Sequence, residues 1–203
     1  MIDASLPRLL RPVLATSLAV LVSAMLSACS VTGVAIGAGA GVGVAAYEER
    51  GLAGAAKDLK ITAGVLEKWI MFDHTLSTKV GVEVYEGRAL LTGAVVDPKT
   101  RADAVRLAWE VPGVRDVLNE IQVSDTGAID FARDSWITAQ IKSKITFDSA
   151  ISAINYEVET VNATVYLIGI AKNQSELDRV IGHARSISYV KQVISHVRVK
   201  ESS

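Results

Sequence analysis

The chain carries an internal repeat, and a repeat fixes the kind of fold before any single residue is interpreted. Displaced by 76 positions, Val82–Gly93 (VEVYEGRALLTG) falls on Val158–Gly169 (VETVNATVYLIG). The same displacement pairs Ala108 with Ala184, Val114 with Val190, Val117 with Val193 and Val123 with Val199. It also sets Ile61-Thr62-Ala63 over Ile137-Thr138-Ala139, with one residue gained and lost between these anchors. Two copies follow, residues 57–123 and 133–199, joined by a linker at 124–132. A unit of under 70 residues builds a modest core, so some packing of one copy on the other is expected.

Each copy has the same coarse elements. A helix with apolar residues at helical spacing comes first, then two short alternating runs around a tight turn, Glu86-Gly87-Arg88 in one copy and Asn162-Ala163 in the other. A second helix starts at a capping signal, Asp97 with Pro98 or Asn173 near Ser175. The strands VRDVLNEIQV and VKQVISHVRV close the units. The order αββαβ predicts an α+β fold, each module a three-stranded sheet packed by two helices.

The first helix of the second copy raises a question. At about 100° per residue Ile137, Ile141 and Ile145 share a face, with Thr138 beside them. Trp136 then lies opposite, beside Gln140 and Ser143, with Lys142 on one flank and Arg133 and Lys144 on the other. The matching residue in the first copy is Lys60, an ordinary solvated residue. Trp69, on a stripe with Ile61, Val65 and Phe72, is expected in the core, as is Trp109. Three readings of Trp136 stand side by side. It half-buries at a lipid headgroup boundary among cations, it fills the seam between copies, or it anchors a protein partner.

The N-terminal region reads differently. Arg8 and Arg11 precede an apolar run from Val13 to Leu26 that ends in small residues and is short for a membrane span. Residues 1–28 therefore have the layout of an export signal. Leu26-Ser27-Ala28-Cys29 resembles the bacterial lipobox, which implies an acylated Cys29 as the mature N-terminus, and Ser30 after it favours the outer membrane, facing the periplasm. Residues 29–56 are Gly/Ala-rich and read as a flexible tether with a reach of roughly 30 Å. Cys29 is the one cysteine, so no intramolecular disulfide can form.

The helix start D-x-x-I-T, the hairpin V-x-V-x-x-G-x-x-x-L-x-G and the closing G-V-x-x-V-x-N-x-I together resemble the BON domain. With a lipobox, a short Glu49–Gly54 tether and two copies, the chain is similar to the dual-BON outer-membrane lipoproteins. The resemblance implies binding of anionic phospholipid through the first helix of the second copy, and support of the outer-membrane barrier. On that reading Arg133, Trp136, Gln140, Lys142, Ser143 and Lys144 form the phospholipid site. The alternative is a periplasmic scaffold for envelope-assembly proteins. Two departures from the pattern stand out: Ala163 where a glycine often completes the hairpin, and Tyr189 where the first copy has Gly113.

The chain offers little chemistry beyond this. Half its residues are hydrophobic and its net charge is −1, which argues against disorder and bulk nucleic-acid binding. His74, His183 and His196 are scattered without ligand spacing, so no metal or cofactor is expected, and His196 is expected at the surface. The acidic residues read as solvated helix faces and turns. No paired-carboxylate, nucleophile or phosphate-loop motif supports an enzyme.

Overall fold

The computed structural model describes residues 48–124 and 130–200. Cys29, the lipobox and the export signal lie outside the described residues. The first module comprises α1 (Gly51–Phe72), the short α2 (Leu76–Lys79), β1 (Val80–Tyr85), β2 (Arg88–Val95), α3 (Pro98–Trp109) and β3 (Asp116–Val123). The second comprises α4 (Phe131–Phe147), a 3₁₀ turn at Ala153–Asn155, β4 (Tyr156–Val161), β5 (Thr164–Ala171), α5 (Gln174–Arg185) and β6 (Gln192–Val199). Helix α1 begins at Gly51, so the last residues of the Gly/Ala-rich stretch are helical.

In each sheet the hairpin strands run antiparallel, and the third strand joins the middle one in parallel after a helical crossover. Strand alternation sends Val82, Ala89, Leu91 and Ile121 towards α1 and α3, and Val158, Val165 and Leu167 towards α4 and α5. The stripe Ile137, Ile141 and Ile145 is 0–2% exposed. Trp69 is buried and its indole N–H donates to the Ala104 carbonyl, tying α1 to α3.

Trp109 and Phe72 depart from the expectation of core positions, being 50% and 51% exposed. Phe72 keeps the angle of the buried stripe but is the last residue of α1, one turn beyond Trp69. Trp109 ends α3 about 140° from Ala104, and Val111 takes the inward place instead.

The D-x-x-I-T start has a structural cause. Asp58 accepts backbone N–H bonds from Glu86 and Gly87, each 2.8 Å, and Asp134 accepts them from Asn162 at 2.6 Å and Ala163 at 2.9 Å. Each buried carboxylate therefore holds its hairpin turn against the helix that carries it. Both central residues have positive φ in both turns (52° and 75°, then 51° and 66°), the type I′ pattern, so Ala163 keeps the turn type. The glycine ending the hairpin motif is fixed by space. A Cβ on Gly93 would lie 2.2 Å from the Lys79 carbonyl oxygen, and one on Gly169 would lie 2.0 Å from that of Asn155.

The other faces of the two sheets pack on one another. Tyr85, Leu90, Val161, Tyr166, Ile168 and Ile170 form a buried cluster, with Leu118 and Ile194 against it. The layers are thus helix, sheet, sheet, helix. The seam is built from corresponding positions. Glu120 and His196 occupy the same place in the two copies, 76 apart, and bond to each other at 2.8 Å. Gln122 bonds Asn162 at 3.0 Å, and their counterparts Arg198 and Glu86 pair at 3.1 Å. Residue i touches j in one direction and the copies of both touch in the other, the signature of an isologous contact. His196 is accordingly half-buried in the seam and not a free surface residue.

Candidate functional site

Helix α4 is capped by Asp130, whose side chain accepts from the Arg133 N–H, and Asp134 anchors its first turn to the hairpin. These contacts fix the helical phase. With three isoleucines inward, Trp136, Gln140, Ser143 and Lys144 face out, and Trp136 is 44% exposed. The seam cluster contains other residues, so Trp136 does not fill it. Lys144 Nζ donates to Ser186 Oγ at 2.9 Å, joining α4 to the end of α5. Ser143, Lys144, Phe147, Asp148, Ser149 and His183 line an open hollow of about 500 Å³. Phe147, at the helix end, is 86% exposed. His183, the Ala150 N–H and Arg179 all bond Asp148 and hold its carboxyl down to about 2.

Two more of the six sequence-selected site residues are ion-paired within the protein. Arg133 pairs with Asp130 at 3.2 Å. Lys142 Nζ lies 3.9 Å from Glu157 on β4. That lysine offsets a crowded group of carboxylates, Glu83, Glu157 and Glu159, on the seam sides of β1 and β4. Burial, with Glu157 and Glu159 nearby, pushes the Glu83 carboxyl up to about 8. Burial raises Glu157 and Glu159 as well, against the pull of Lys142. The expectation that acidic residues sit on solvated faces is therefore corrected. Asp58, Asp134 and Glu176 are also buried, each because its carboxylate caps backbone N–H groups of a neighbouring segment.

Sequence reasoning missed one neighbour. Tyr189, in the α5–β6 loop, is 68% exposed and sets its ring edge-on to Trp136, centroids 6.0 Å apart at 70°. The available signal was that Trp136 and Tyr189 stand where the first copy has Lys60 and Gly113. A second hollow, about 620 Å³, is lined by Glu49, Glu86, Ile170, Arg198, Val199 and Lys200. Its cations are paired, Arg198 with Glu86 and Lys200 with Glu49. Among the described residues no three side chains converge as metal ligands, and no helix is long and apolar enough to cross a membrane.

Comparison with known proteins agrees with this architecture. The family profile of the BON domain matches residues 58–125 and again 133–201. A protein of Anaplasma centrale, described as encoded in the gshII 5′ region, is 44% identical over 134 residues, 65% of this chain and 89% of the relative. Outer membrane lipoprotein DolP of Haemophilus influenzae is 39% identical over 119 residues, covering 57% of this chain and 60% of that protein. Osmotically-inducible protein Y of Escherichia coli is 30% identical over 146 residues, 70% of this chain and 73% of its own length.

Proposed function

We propose, from the premise that the chain belongs to the BON-domain family, that it is a lipid-anchored outer-membrane protein facing the periplasm. In this reading Cys29 carries the acyl chains, the residues between it and Glu48 supply the tether, and the second module (133–199) touches anionic phospholipid to support envelope integrity. The resemblance to an outer-membrane lipoprotein supports the location. The observation that carries the lipid contact is Trp136, an indole standing 44% exposed on the outer helical layer with Lys144 on the same helix. Gln140 and Ser143 supply polar groups beside it.

The strength of such a contact is modest. Part-burial of an indole contributes about 2 kcal/mol, and each cation near an anionic surface about 1 kcal/mol. That is too weak to hold a free protein and sufficient for one already tethered, where effective concentration reaches roughly millimolar. The site would therefore decide where the protein dwells on a membrane.

The test uses the full chain reconstituted in vesicles of phosphatidylglycerol and phosphatidylcholine, the acyl chains brominated to quench nearby indoles. In a Trp109→Phe background Trp136 is the exposed indole and buried Trp69 a constant. Trp136 fluorescence should be quenched with the anionic lipid, and less so in high salt or with Lys144→Glu. Equal emission from brominated and plain vesicles sinks the lipid reading. Mass spectrometry of the mature protein should show an acylated Cys29, and Cys29→Ala should leave an unanchored precursor.

A second reading, a scaffold for envelope-assembly proteins, draws on the first module. Ile70, Met71, Phe72 and Trp109 are half to four-fifths exposed there. Crosslinks from that face to another envelope protein, with Trp136 unquenched, would favour it.

A further inference from the structure

Two breaks in the repeat meet in space. Trp136 replaces Lys60 and Tyr189 replaces Gly113, on different elements, and the two rings are in contact. The loop that carries Tyr189 is a poor place for a tyrosine. In the first module Val111-Pro112-Gly113-Val114 makes a four-residue turn, closed by the Val114 N–H donating to the Val111 carbonyl at 3.2 Å, with Gly113 at φ 100°. Proline second and glycine third are the residues a type II turn selects. The second module makes the same turn with Ile187-Ser188-Tyr189-Val190, closed at 3.3 Å, and holds Tyr189 at φ 72°. A bulky aromatic in the left-handed region is strained, and strain of this kind persists where the surroundings impose it and function uses it.

Core packing does not account for the residue. Tyr189 is 68% exposed, so it adds little to the buried cluster, to which the loop contributes Ile187 and Val190 instead. Its ring contact is with Trp136, itself 44% exposed. Lys191 follows two residues later, exposed, with its own N–H tied to the Ala163 carbonyl at 2.9 Å. The loop thus presents an aromatic ring and a cation beside the indole of α4, the composition that suits a headgroup boundary.

We propose that Tyr189 is a second membrane-contacting ring, held by a strained turn against Trp136 so that the lipid site spans α4 and the α5–β6 loop. The inference rests on the lipid reading above and extends it from one helix to two elements. Edge-to-face packing fixes the attitude of the indole, and the pair enters an anionic phospholipid surface as one rigid unit. The hydroxyl is incidental to this role, since the ring supplies the area and the contact.

The experiment compares Tyr189→Gly and Tyr189→Phe with the parent, in the full chain carrying Trp109→Phe and in the same brominated phosphatidylglycerol vesicles. Tyr189→Gly restores the residue the turn selects, so the melting temperature should rise by a few degrees while quenching of Trp136 falls several-fold. Tyr189→Phe should keep both parental values. If the parent is quenched and Tyr189→Gly is quenched equally, the inference fails and the lipid reading stands. A lower melting temperature in Tyr189→Gly would also overturn it, because the ring would then be propping the fold. Loss of quenching in Tyr189→Phe refutes the role given to the ring. An unquenched parent removes the lipid reading, and this inference with it.

Discussion

The two modules are alike where they are buried and different where they face out. In both, an aspartate on the first helix clamps a type I′ turn, a glycine with no room for a Cβ ends the hairpin, and a stripe on that helix fills the core. On the outer layer the first module has Lys60 and Gly113 and the second has Trp136 and Tyr189. Packing density and hydrogen-bond satisfaction restrict the interior of each copy equally. The outer layer is free to diverge, and divergence there is where a new contact can arise. The seam shows an intermediate case. Corresponding positions meet, so a duplicated acid is brought towards its own copy, as with Glu83 and Glu159, whereas Glu120 faces His196 and makes a bond.

The equivalence of the buried parts is most strongly tested at Ile141, which matches Val65, both 0% exposed. Ile141→Ala should destabilise the protein by about 2–5 kcal/mol, and Val65→Ala by about 1 kcal/mol less, for the missing methylene. Chemical denaturation measures both. A cost below about 1 kcal/mol at Ile141 would mean that α4 and α1 do not share a phase.

The seam carboxylates make a subtler contrast, read in pH. The Glu83 carboxyl, ordinarily near 4.5, is raised to about 8, so the folded chain keeps a proton the unfolded chain has released. Its contribution is whole below about 4.5 and is lost as the pH climbs to about 8. Glu83→Gln should flatten that decline and raise the melting temperature at pH 8 while changing little near pH 4.5. Glu159→Gln should act in the same direction, since burial raises that carboxyl too. A response from one variant alone would show that the seam is less symmetric than its hydrogen bonds.

The smallest effect belongs to the turn. Ala163→Gly relieves a φ of 66° and removes a buried methyl, opposing changes whose sum should stay within about 1 kcal/mol. A larger loss in thermal unfolding would show that the methyl, absent at Gly87, has become part of the second core.

Much of the fold was legible because it is periodic. The repeat, the strand alternation and the capping residues Asp97 and Asn173 each act over a few neighbouring positions, and their side chains do accept from Lys99 and Glu176 N–H groups. The failures have a common physical origin in contacts distant along the chain. Nothing local marks His196 as the partner of Glu120, or Lys142 as facing a strand carboxylate. Phe72 looked like core because it falls on the helical stripe and Trp109 because it is large and apolar, yet both end helices, where the stripe no longer dictates the direction. The outward face of Trp136 was readable from the 100° rotation alone. The ring that meets it was not, because Tyr189 arrives from another element.

The contact between the two sheets also sets what is left for others to recognise. A sheet face is the broad, flat part of a module this size, and here the central strands of each cover the other's, with Leu90, Ala94, Tyr166 and Ile168 all almost without exposure. Any third body must therefore read helices, loop tips or the rims of the outer strands. The broadest surfaces left are two opposite sides of the molecule, one bearing each helical layer. A chain with that geometry can hold one thing on one side and another on the far side without the two competing for space.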